Sequence, residues 1–213
     1  MFAHALALVT ALLLVGHGPD RAWAGAPTDQ LKAQIDRTVK ILEDPELKKP
    51  GRQRDRRTAV RQVANEIFDF SETAKRSLAR HWAARSQAER EEFVQLFGDL
   101  LERSYISKIE LYGGEKIKFV GETTEPDGAI VRTRLVTRQD TEIPIDYRMQ
   151  KEGDRWRVYD VLIEGVSLVG NYRSQFNSII VRSSYQELVT KLKAKQDEAA
   201  EPKETGRPRQ QSP

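Results

Sequence analysis

The chain has no cysteine, and of its three histidines only His81 lies beyond the first 24 residues. This excludes a thiolate nucleophile, a zinc site built from Cys and His, and any disulfide framework. A Ser-His-Asp triad would have to use His81, which stands between Arg80 and Trp82 in a helical stretch where an exposed or capping role is the plainer one. Glycine is missing where phosphate chemistry would need it, since Gly113-Gly114 lacks the Lys-Ser/Thr of a P-loop and does not join a strand to a helix. After the N-terminal run, no segment is apolar and long enough to span a bilayer. Charge of one sign is also missing: 35 basic and 32 acidic residues leave a net charge of +3, a mixed surface without a nucleic-acid footprint.

What is present begins with Phe2 to Val15, an almost unbroken run of Ala, Leu and Val, followed by Ala22-Trp23-Ala24, a small-x-small site of the kind signal peptidase cuts. The run is too short for a membrane helix. Residues 1–24 therefore read as a signal peptide, although the start carries no Lys or Arg. Residues 28–195 read as one domain, and residues 196–213 as a disordered polar tail, because Glu201 to Pro213 holds three prolines and no apolar side chain. No lipidation cysteine follows the cleavage site, so an exported, unanchored protein is expected.

Helical signals fill the first half. Thr28 can cap a helix with Leu31, Ile35, Val39 and Leu42 on one face, ending near Pro45. A second helix carries Val60, Val63, Ala64 and Ile67. Asp69 with Glu72 can cap a third, which includes Leu78 and Trp82. Ser86 to Glu89 is a capping box that opens the longest helix, on which Phe93, Leu96, Phe97, Leu100, Leu101, Tyr105 and Ile109 precede Gly113-Gly114. Gly98 inside it costs about 1 kcal/mol relative to Ala, which implies a close neighbour. Between the first two helices, Lys48, Lys49, Arg52, Arg54, Arg56, Arg57 and Arg61 gather around Pro50-Gly51. They form either a solvated loop or a patch for anionic lipid or an acidic partner.

Strand signals follow: Lys116 to Val120, Ala129 to Val136 with Val131, and Thr141 to Met149 with Ile143, Ile145, Tyr147 and Met149 on one face. Pro144 marks an edge or a bulge. Short connections make the strands antiparallel. The last strand places Trp156, Val158 and Leu162 on one face and Tyr159, Val161 and Ile163 on the other, so its second half is covered on both sides. After Gly165 the spacing changes to that of a helix, with Leu168, Tyr172, Phe176 and Ile179 on one side. A Ser184–Glu187 capping box breaks this helix near Ser183 and restarts it through Tyr185, Leu188 and Leu192. The order predicts an α+β fold in which helices cover one face of a curved, mainly antiparallel four-stranded sheet.

Asp160 is a charge in an otherwise apolar row. It serves as a structural partner of Arg173 or a backbone amide, or, with Glu164, as a general base. The surplus aromatics and aliphatics either pack on one another or line a cavity.

Trp156-x-x-Tyr159-Asp160-x-x-x-Glu164-Gly165-Val166-Ser167-Leu168 and Asn171-Tyr172-Arg173-x-Gln175-Phe176 resemble the signature of the MlaC family, periplasmic phospholipid-binding proteins also called toluene-tolerance auxiliary components. Phe68-Asp69-Phe70, Leu78 to Trp82, and Phe93 to Leu101 with Tyr105 are similar to that family's apolar helices. The resemblance covers roughly Leu31 to Lys195 and leaves out the basic loop and the tail. It implies an apolar cavity for acyl chains with the head group outside. The expected lining is Phe70, Trp82, Phe93, Phe97, Leu100, Leu101, Tyr105, Ile109, Val131, Tyr147, Met149, Trp156, Val158, Val161, Val166, Leu168, Tyr172 and Phe176.

Two exposed acyl chains cost on the order of 20 kcal/mol at about 0.8 kcal/mol per CH₂, so uncarried transfer through water would be very slow. The resemblance implies a monomeric shuttle, without catalytic residues, metal or cofactor. Its partners would be an outer-membrane lipoprotein-porin complex and an inner-membrane ABC transporter with an MCE subunit. Two rivals stand beside it: a periplasmic adaptor with a solid core, and a small-ligand enzyme using Asp160.

Overall fold

The computed structural model describes residues 25–200. The expected signal peptide and residues 201–213 of the expected tail lie outside them. Four helices come first: α1 (Ala26–Glu43), α2 (Gln53–Ile67), α3 (Phe70–Leu78) and α4 (Gln87–Ile109). An antiparallel sheet follows in the order β1 (Lys116–Glu125), β2 (Gly128–Val136), β3 (Glu142–Glu152), β4 (Arg155–Ile163) and β5 (Val166–Ser167), and then α5 (Leu168–Arg182) and α6 (Tyr185–Ala200). The α+β class is as expected, with a fifth strand of two residues added at the edge. β1 is twice its expected length because the polar residues Glu122 to Glu125 pair with β2 on an edge that needs no apolar alternation. α6 runs to Ala200, so residues 196–200 of the expected disordered tail are helical.

Caps fix most helix starts. Asp69 accepts from the Glu72 amide, Ser86 and Glu89 make both bonds of the capping box, and Ser184 accepts from the Glu187 amide. α1 is different. It begins two residues before Thr28, behind Gly25, which has no side chain to offer. Its cap comes from β1: one Glu122 carboxylate oxygen accepts from the Thr28 amide at 2.9 Å and from its hydroxyl at 2.6 Å. Trp82 also departs from expectation. α3 ends at Leu78 because Ala79 takes φ +48°, and Trp82 follows a 3₁₀ turn over Ala79–His81.

The apolar residues form two cores. In one, Leu31 of α1 and Val63 and Ile67 of α2 lie over Val131, Met149 and Val158 of the sheet. In the other, α3, α4, α5 and α6 enclose Phe93, Phe97, Phe176, Leu188 and their neighbours. Phe97 meets Phe176 and Tyr172 edge-on, with ring centroids 5.1 and 5.0 Å apart. The long helix α4 thus packs mainly on α3 and α6, also meets α2, and makes few close contacts with the sheet.

The neighbour expected at Gly98 is the Phe70 ring of α3. A methyl group added there would sit 3.8 Å from it, an ordinary van der Waals distance. Gly98→Ala should therefore raise stability by about 1 kcal/mol, the helix-propensity difference, measured as a higher midpoint of chemical denaturation.

Pro144 lies in a central strand and is tolerated there because β4 has run out beside it. Ile145↔Ile163 is the last β3–β4 pair, and the Pro144 carbonyl accepts from the Glu164 amide as the chain turns. That turn, Glu164-Gly165, joins Ile163 to its partner Val166 with both residues at positive φ, as in a type I′ hairpin.

A bulge corrects the reading of β4. The register shifts between Arg148 and Met149, so that Met149 pairs with Val158 and Arg148 with Asp160, leaving Tyr159 as the extra residue. Beyond it the faces exchange. Val161 and Ile163 join Val158 on the helix-covered face, while Asp160 and Leu162 point to the other. Asp160 is therefore outside the row of Trp156 and Val158.

Candidate ligand site

Paired strand residues share a face, so the register sets out the apolar side of the sheet in rows. Ala129, Met149 and Val158 form one row and Val131, Tyr147 and Val161 the next, and both lie under α1 and α2. Further along come Phe119, Thr133, Ile145 and Ile163, then Ile117, Leu135 and Ile143. In these two rows Ile117, Leu135, Ile143 and Ile145 are only half-buried, Ile163 is 39% exposed, and none of the five belongs to either core. These five aliphatic side chains therefore make an apolar stretch of the sheet that neither core packs closely.

Tyrosines mark the walls. Tyr147 is half-buried, yet desolvation pushes its phenol up to about 12, with the Thr133 side chain pulling the other way. The ring packs against the sheet core. Burial likewise raises Tyr105 of α4, with Tyr172 of α5 as the next cause. Both are half-buried against the helical core. Phenols are amphipathic, apolar in the body and polar at the tip.

The residues expected to form one lining are divided. Phe93, Phe97, Leu100, Leu101 and Phe176 are buried in the helical core, with Phe70, Trp82, Tyr105, Leu168 and Tyr172 half-buried against it. Val131, Met149 and Val158 are buried in the sheet core, with Tyr147, Trp156 and Val161 half-buried against it. Ile109 and Val166 belong to neither, being 39% and 65% exposed. The structure also brings forward Ile117, Phe119, Leu135, Ile143, Ile145 and Ile163. The alternation of β1, β2 and β3 carries that signal for the first five, and the bulge hides it for Ile163.

Hollows among the described residues are small. One, of about 270 Å³, lies between Leu31, Ile67, Met149 and Trp156. Another, of about 230 Å³, lies between Gly114, Lys116, Val136 and Arg138. Each is smaller than an ordinary ligand pocket of roughly 300–1,000 Å³.

Asp160 is accounted for by local structure. Its Oδ1 accepts from the Val169 amide at 3.0 Å, and its Oδ2 accepts from the Ser167 hydroxyl at 2.6 Å and from Arg148 at 3.3 Å. Ser167 in turn accepts from the Gly170 amide. The carboxylate fastens the first turn of α5 to β4 and faces the dipole of that helix. Arg173 instead donates to the Arg76 carbonyl. His81 pairs with Asn177 on α5. No cluster of metal-binding side chains occurs among the described residues.

Comparison with known proteins agrees with this architecture. Residues 32–194 match the family model described as MlaC protein. The intermembrane phospholipid transport system binding protein MlaC of Haemophilus influenzae is 24% identical over 151 residues, covering 68% of this chain and 69% of that one. A solved structure of a phospholipid-binding protein from Ralstonia solanacearum, in complex with a phospholipid, superposes with a TM-score of 0.74 at 23% identity, covering 83% of this chain and all of that one.

Proposed function

The chain belongs to the MlaC family, and from that premise we propose that it is a periplasmic phospholipid carrier whose acyl chains lie along the uncovered apolar rows of the sheet, under the second half of α4. One observation carries the reading: five aliphatic residues of a folded sheet face, Ile117, Leu135, Ile143, Ile145 and Ile163, belong to neither core. Water against such a face is unfavourable by about 25 cal/mol per Å², and hydrocarbon chains remove that cost without asking for a hydrogen bond. Tyr105, Tyr147 and Tyr172 supply the walls, and Leu168, Tyr172 and Val161 continue the apolar surface toward α5.

The work proposed is transfer and needs no acid or base. Asp160 has both oxygens engaged in holding α5, which argues against its service as a general base. The chain would receive lipid from an outer-membrane lipoprotein-porin complex and exchange it with the MCE subunit of an inner-membrane ABC transporter, as a monomer. Binding needs the gap between α4 and the sheet to widen. The packing of α4 on α3 and α6 rather than on the sheet makes that movement cost no core contact of the sheet.

Mass spectrometry of an organic extract from gently purified protein tests the reading. Phospholipid at about one molecule per chain is the expected result. A clean extract from folded protein would support a lipid-free adaptor instead.

A further inference from the structure

Four segments meet at one end of the molecule. Arg57 of α2 binds Glu110, just past α4, at 2.8 Å, and the Tyr112 hydroxyl donates to Glu43 at the end of α1 at 3.3 Å. The Arg138 guanidinium, from the β2–β3 hairpin, lies against Gly113. The uncovered row Ile117, Leu135 and Ile143 is the one nearest this end, because β1 begins there.

The surface at this end has two properties together. From residue 47 to 57 there are six basic residues, Lys48, Lys49, Arg52, Arg54, Arg56 and Arg57, against one acid, Asp55. Lys49, Arg52 and Arg57 have partners in Glu46, Asp55 and Glu110, but among the described residues no acid pairs with Lys48 or Arg54, and both are exposed. Beside them Leu111 is 80% exposed and Ile109 39%. This solvent-facing leucine, in the turn just past α4 and next to the Glu110 that Arg57 binds, has no role in either core.

We infer that this end docks on anionic bilayer surfaces, the cations meeting lipid phosphates and Leu111 entering the head-group layer. The inference rests on the carrier reading, for it turns toward the membrane the end nearest the row Ile117, Leu135 and Ile143. A bilayer fits better than an acidic protein because exposed cations and an exposed leucine match phosphates with hydrocarbon beneath them, whereas the hollow at this end, lined by Lys116, Thr137, Arg138 and Asp140, offers a partner's apolar side chain no apolar seat. Attraction of this kind grows with each cation near the surface, is screened by salt, and is strengthened by a shallow apolar insertion.

Flotation of the full chain with vesicles tests it. Binding is expected to vesicles with about 30% phosphatidylglycerol and not to pure phosphatidylcholine, and it should fade as salt rises. Replacing Lys48 and Arg54 together by Gln should weaken partitioning about twenty-five-fold, at about fivefold for each charge. Leu111→Ser should weaken it about tenfold. These side chains are exposed, so thermal melts should be unchanged. Equal binding to neutral vesicles, no binding to either kind, or variants that float like the parent would each overturn the inference. The organic extract separates the two ideas: phospholipid-loaded protein that ignores vesicles leaves the carrier reading standing and removes the docking surface.

Discussion

Ile145→Asp should strip the chain of phospholipid while leaving it folded. Ile145 sits between Thr133 and Ile163 on the apolar side of the sheet and contributes to neither core, so its replacement removes no tight packing. A carboxylate there would have to be desolvated against acyl methylenes, or would draw water between the chains and the sheet. Either costs several kcal/mol. Recovered phospholipid should fall by about a hundredfold, with the melting temperature within a few degrees of the parent. Ile130, which pairs with Arg148 on the opposite face, provides the control, and Ile130→Asp should change neither quantity. Undiminished lipid in the Ile145 variant would mean that the chains do not lie on this face.

The largest loss of stability is expected from Asp160→Ala. Asp160 is 3% exposed, and its removal leaves the Val169 amide without its partner and frees Ser167 and Arg148. A buried charged acceptor with several donors is worth about 3 kcal/mol when only one side is deleted. In a domain of this size that lowers the melting temperature by about 10 °C. Asp160→Asn keeps one oxygen acceptor and should lose about half as much. If a folded Asp160→Asn protein still extracts with phospholipid, the residue serves the start of α5. Loss of lipid from a folded variant would instead assign it to the ligand.

The helices were legible in the sequence because their caps and their apolar spacing are local. Asp69, Ser86 and Ser184 all bond as their spacing predicts. The cap of α1 was not, since Glu122 is 94 residues away along the chain from Thr28. The antiparallel order followed from short connections, and β5 escaped notice because two residues carry no periodicity. Strand alternation identified Ile143, Ile145, Tyr147 and Met149 as one face. It failed at Tyr159, where one extra residue exchanges the faces, and with it went the placement of Asp160. The division of sixteen of the eighteen expected lining residues between two cores follows from where the helices dock, which no window of sequence encodes. The half-buried state of Tyr105 and Tyr147 is likewise a property of what surrounds them.

Having two cores also shapes the energetics of being empty. A pocket hollowed inside a single core loses packing when its contents leave, and the walls tend to collapse. Here the helical cluster and the sheet cluster are separate, and Ile117, Leu135, Ile143, Ile145 and Ile163 belong to neither. If the proposed acyl chains lie on those residues, their departure removes no contact from either cluster. The unloaded chain would then stay folded with an apolar face to refill, and its lifetime in that state would be set by how fast that face meets another apolar surface.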